Sequence, residues 1–142
     1  MARNRVSKRN PYWIPHHRYL ELYHLCRQLD DMRAERRRLL EAAVSAVQIR
    51  EATGSAPPSQ TSPTEVTAIK AAELSRKIDA VERCVRMAGR GDAVIERCLM
   101  RNVTKGSSYD VLTAWIGEEL PVSVNTFYRG RRFFFWLLDK EI

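Results

Sequence analysis

The strongest constraint on this chain is an absence. No glycine or proline occurs between His16 and Glu51. These are the two residue types that most readily end a helix. Across the same stretch Tyr19, Leu22, Tyr23, Cys26, Leu29, Met32, Leu39, Ala43 and Val47 recur at spacings of three, four or seven, with Arg36 interrupting the stripe. That period predicts one helix. At a rise of ~1.5 Å per residue, ~35 residues span ~50 Å. A compact domain of 142 residues does not need a rod of that length, so part of it is expected to pair with a second helix.

The second helix is well marked. Gly54, Pro57 and Pro58 break the pattern and predict a flexible loop over 53–61. Ser62 then serves as a helix cap, Pro63 occupies the first helical position and Glu65 completes a capping box. The apolar stripe that follows is Ala71, Leu74, Ile78, Val81, Val85 and Ala88, and Gly89 and Gly91 stop it. The expectation is a long antiparallel helical hairpin over 16–89, with surface left for a homodimer in the manner of a coiled coil.

The remainder, 92–142, has the texture of a short helical bundle. Asp92 is placed to cap a helix carrying Ile95, Leu99 and Val103 on one face. Ser107 with Asp110 resembles a capping box for a short helix through Ile116, which Gly117 ends. Ser123 caps a last helix reaching almost to Ile142. No segment alternates as a strand does, so the fold class read from the sequence is all-α.

Charge directs attention to partners. Lys and Arg total 24 against 17 Asp and Glu, a formal +7, which suits nucleic acid or an acidic protein surface. Residues 1–15 read as a basic arm, with Arg3, Arg5, Lys8 and Arg9, followed by an extended aromatic segment around Tyr12-Trp13-Ile14 between Pro11 and Pro15. No apolar run is long enough for a membrane span, and none follows the first residues as a secretory signal would. Three cysteines, Cys26, Cys84 and Cys98, cannot complete a disulfide framework. Together these predict a cytoplasmic protein with no membrane partner.

Three short helical patterns within 92–142 predict a helix-turn-helix. Val122 reads as an apolar plug before the last helix. Ser123 leaves that helix's first amides free to face phosphate. Asn125, Arg129 and Arg132 follow at spacings of four and three on one face, with no acid before Asp139. Asn pairs with adenine and Arg with guanine in the major groove. Arg131, one step off that face, is expected on a backbone phosphate of double-stranded DNA, and the arm residues Arg3, Arg5, Lys8 and Arg9 on phosphates or in the minor groove. Against this, Gly117 to Val122 exceeds the usual turn of 3–4 residues. It also carries Glu118 and Glu119. The aromatic run Phe133–Trp136 reads as core, with Phe134, Trp136 and Leu138 structural and the Tyr12-Trp13-Ile14 segment as their cover.

No catalytic set emerges, and neither a cofactor nor a metal is expected. His16, His17 and His24 have no metal-ligand spacing with one another or with the cysteines. The six glycines are scattered and form no phosphate loop.

Asn10 to Tyr19, Ser62-Pro63-Thr64-Glu65, Ala72 to Ile78, Val103 to Leu112 and Phe127 to Leu138 together resemble a family of small prophage proteins of gut Firmicutes. Its C-terminal part is similar to phage late-gene regulators of the RinA and ArpU type, whose sigma-factor-like helix-turn-helix implies transcription regulation. The chain departs from that pattern at Trp115 to Leu120, where the turn is longer. Two other functions fit a small phage chain of this composition. One is an inhibitor of a host defence nuclease, of the anti-CRISPR type. The other is a DNA-packaging subunit.

Overall fold

The computed structural model describes residues 7–54 and 63–142. Among the described residues the chain is all-α, with no strand. The helices are α1 His16–Arg27, α2 Leu29–Thr53, α3 Pro63–Gly89, α4 Ala93–Lys105, α5 Tyr109–Ile116 and α6 Val124–Glu141. They fall into two compact units, one of residues 1–29 with 79–142, the other of residues 30–78. Spacing alone had drawn the division at 16–89 and 92–142.

The long first helix is broken. Gln28 has φ −93° and ψ 2°, and its N–H is shared between the carbonyls of His24 and Leu25 at 3.2 and 3.1 Å. Such sharing is common where a helix ends. Leu29 is fully buried immediately after it. Asp30 and Asp31 then occupy the first turn of α2, where their charge complements the helix dipole.

In the unit of residues 30–78, α2 and α3 bury Met32, Leu39, Ala71 and Ile78. Arg36, which interrupts the apolar stripe, is half-buried and donates through Nη1 to Ser75 Oγ at 3.4 Å. Val47 is exposed rather than packed, and so are Leu40, Val44, Ile49, Val66 and Ile69. The capping residue Ser62 lies outside the described residues.

The other unit has a continuous core. Tyr19, Leu22 and Cys26 of α1, Val81, Cys84 and Val85 of α3, Cys98, Leu99 and Val103 of α4, and Phe127, Phe134, Phe135 and Leu138 of α6 are buried. Two ion pairs hold the end of α6, Arg18 to Asp139 at 2.7 Å and Arg83 to Glu141 at 2.6 Å. Exposed pairs of this kind add at most about 1 kcal/mol each.

The segment before α1 is turned rather than extended. Asn10 Oδ1 accepts from the Tyr12 N–H at 2.9 Å, and Asn10 O accepts from the Trp13 N–H at 3.0 Å. Asn-Pro favours this kind of side-chain-closed turn. The turn delivers Tyr12 onto the Phe133 and Trp136 rings, with centroids 5.0 and 5.6 Å away. Trp136 is therefore half-buried under that cover, whereas Phe134 and Leu138 are fully buried.

All three cysteines are free and buried. Burial pushes the Cys26 thiol from 9.0 up to about 12 and the Cys84 thiol to about 11, and raises Cys98 in the same direction. The native protein is expected to resist thiol reagents at pH 8 and to react at three sites once unfolded, measured by mass spectrometry. The folded state holds the thiols neutral. Their contribution to stability is present below the unfolded value of 9.0 and is lost as pH rises through about 11 to 12. Rapid labelling of Cys26 in the native protein would contradict this packing.

Candidate nucleic-acid interface

The helix pair α5–α6 is built from the capping signals read in the sequence, with two corrections. The N-cap of α5 is Ser108 rather than Ser107. Ser107 instead offers its carbonyl to Asn102 Nδ2 at 2.8 Å. Gly117 ends α5 at φ 84°, a conformation that penalises any side chain, and its N–H bonds to Thr113 O at 2.9 Å.

The long turn is plugged by Leu120, which is buried, rather than by Val122, which is half-buried. The Val122 carbonyl accepts from the Tyr109 hydroxyl at 2.7 Å, and the Tyr109 ring meets Phe127 edge-on at 5.9 Å. These contacts fasten the start of α5 to the start of α6. Glu118 and Glu119 remain in solvent.

Ser123 caps α6, its Oγ accepting from the Thr126 N–H at 3.2 Å. The buried stripe of α6 is Phe127, Arg131, Phe134, Phe135 and Leu138. At ~100° per residue, Asn125, Arg129 and Arg132 project from the opposite side. Ser123, Asn125 and Arg129 are exposed. Arg132 is half-buried, and its Nε has no hydrogen-bond acceptor among the described residues.

Arg131 is not placed for phosphate. It is 5% exposed. Its Nε donates to Asn102 Oδ1 at 2.6 Å and its Nη2 to the Tyr19 hydroxyl at 2.9 Å. Its guanidinium lies 4.9 to 5.6 Å from the ring centroids of Phe135, Tyr19 and Tyr23. Two opposing effects act on the Tyr19 phenol, and burial, which raises it, outweighs the pull of the Arg131 charge.

Of the arm, Lys8 and Arg9 are exposed, with Lys8 Nζ 5.7 Å from the Trp13 centroid. Arg3 and Arg5 lie outside the described residues. Sequence reasoning missed a basic-aromatic cluster on α4 and α5. Arg97 and Arg101 flank the exposed Trp115 ring at 5.1 and 4.4 Å. The available signal was their spacing of four on one helix, which sets them on one face. Among the described residues no three His, Cys, Asp or Glu side chains group as metal ligands. No described helix is long and apolar enough to cross a membrane.

No family model matches the chain, and neither a curated protein nor a solved structure matches it.

Arg131→Ala should cost about 1–3 kcal/mol in urea unfolding, because it leaves the buried Asn102 Oδ1 and Tyr19 hydroxyl without that donor. Arg131→Lys should recover little, since a point charge cannot reproduce the planar fork. Near wild-type stability in Arg131→Ala would show that the guanidinium is solvated in solution.

Proposed function

We propose that the chain binds double-stranded DNA through its helix-turn-helix and acts as a phage-encoded transcription regulator in the bacterial cytoplasm. The observation that supports this best is the acid-free outer face of α6, on which Asn125 and Arg129 are exposed and Arg132 keeps an unsatisfied donor. Recognition helices read bases with their N-terminal residues, and these three occupy the first half of α6. Lys8, Arg9, Arg97 and Arg101 are suited to phosphates, and the Ser123-capped helix start adds its amides. The resemblance to RinA and ArpU regulators points the same way. Arg131 has no part in this interface. No catalytic role is proposed.

A second reading rests on a different observation, the exposure of Leu40, Val44, Val47, Ile49, Val66 and Ile69 on α2 and α3. Leu40, Val44 and Val47 follow one helical face, as an interhelical seam does. We read this face as the contact for a homodimer, which would present two reading helices to one operator. The competing occupant is a host nuclease, as an anti-CRISPR inhibitor would require.

Duplex binding by fluorescence anisotropy across a salt series tests the first reading. Arg129→Ala is expected to cost about 1–3 kcal/mol and relax specificity, whereas Arg101→Ala should weaken all sequences alike and flatten the salt slope by about one. Light scattering should report a dimer that Val44→Glu dissociates. A wild-type monomer with no duplex binding at low salt would overturn both proposals and favour the inhibitor.

A further inference from the structure

A cleft of about 280 Å³ opens between the end of α3, the start of α4, the first half of α6 and Tyr12. Leu99 and Phe127, both buried, form its floor, and Ile95, Phe133 and Tyr12 its walls. Its rim is charged. Arg90 and Arg129 both line it and both are exposed. Arg90 carries its guanidinium 5.7 Å from the Phe133 centroid. Neither arginine forms a salt bridge among the described residues. Among the described residues that line the cleft, the acid is Asp92, at the start of α4. Its Oδ1 accepts from the Val94 and Ile95 amides at 2.9 and 3.2 Å, capping α4.

An apolar floor beneath two arginines and a single lining carboxylate, which faces the start of α4, complements a molecule with an apolar body and a negative end. The volume suits one or two fused rings, and a helix of a partner protein would not fit. We infer that this cleft is a binding site for a small organic carboxylate, its body against Leu99, Phe127 and Phe133 and its carboxylate between Arg90 and Arg129. The inference does not rest on DNA binding, because the cleft's shape and charge are complete within this unit of the chain.

The test titrates 2-naphthoate, and separately neutral 2-naphthamide, into the 15N-labelled full chain. The amides of Gly89 and Gly130, which line the cleft, serve as reporters. Naphthoate is expected to move both amides saturably, and naphthamide to bind at least about tenfold more weakly for want of a charge-assisted contact. Arg90→Gln should weaken naphthoate by a similar factor and leave naphthamide unchanged. Ile95→Phe, which fills the cleft, should abolish both; if that variant does not fold, Arg90→Gln alone decides. Equal binding of naphthoate and naphthamide, shifts centred away from Gly89 and Gly130, or no shift at millimolar naphthoate would overturn the assignment. Absence of duplex binding in the anisotropy series would leave each of these outcomes as stated.

Discussion

The setting of α6 depends on one buried guanidinium. A charge withdrawn from water is costly unless its donors are satisfied. Arg131 meets that demand by reaching Asn102 on α4 and Tyr19 on α1, with aromatic faces from α1 and α6 around it. Asn102 is in turn held by the carbonyl of Ser107, at the approach to α5. The requirement to satisfy one side chain thereby orders α1, α4 and α6 against each other. Hydrophobic burial alone would tolerate small rotations of α6. A planar donor with fixed partners does not.

Fixing α6 about its axis decides what the helix can present. Arg129 stands two residues before Arg131, roughly 200° around the helix. With Arg131 locked inward, Arg129 is outward, and Asn125 and Arg132 flank it. The C-terminal half of the same helix is covered by Tyr12 on Phe133 and Trp136. The acids of α6, Asp139 and Glu141, lie at its far end in ion pairs with Arg18 and Arg83, so the N-terminal half presents a face without acids. One helix therefore serves as core element, as docking surface for the aromatic segment and as the face on which the proposed DNA contacts lie.

Much of the fold was legible because its signals are local. Asp92, Gly117 and Ser123 cap or stop helices where the sequence places them, and Ala71, Ile78, Val81, Val85 and Ala88 of the α3 stripe and Leu99 and Val103 of the α4 stripe are buried, whereas Leu74 and Ile95 are half-buried. The break at Gln28 was not legible from glycine or proline. Its trace was the Asp30-Asp31 pair, which suits a helix start. The turn at Asn10 is not legible, because two prolines exclude a helix without specifying what replaces it.

The charge of Arg131 points to solvent, whereas its spacing points to the core. Arg131 follows Phe127 by four and precedes Phe134 and Leu138 by three and seven, so it occupies a core register. The partners that make burial tolerable, Tyr19 and Asn102, are remote in sequence and cannot be anticipated from α6 alone. The same limit applies to the Arg97–Trp115–Arg101 cluster and to the cleft beneath Arg90 and Arg129, which exist only once separate helices meet.

The opposite settings of Arg129 and Arg131 are measured most directly by NMR of the arginine Nε–Hε groups. Arg131 should give a resolved resonance, displaced by the rings of Tyr19, Tyr23 and Phe135, whose hydrogen exchanges slowly with solvent. Arg129 should exchange fast at an ordinary shift. An Arg131 Nε–Hε that exchanges as fast as that of Arg129 would contradict the buried network and the orientation of α6 that follows from it.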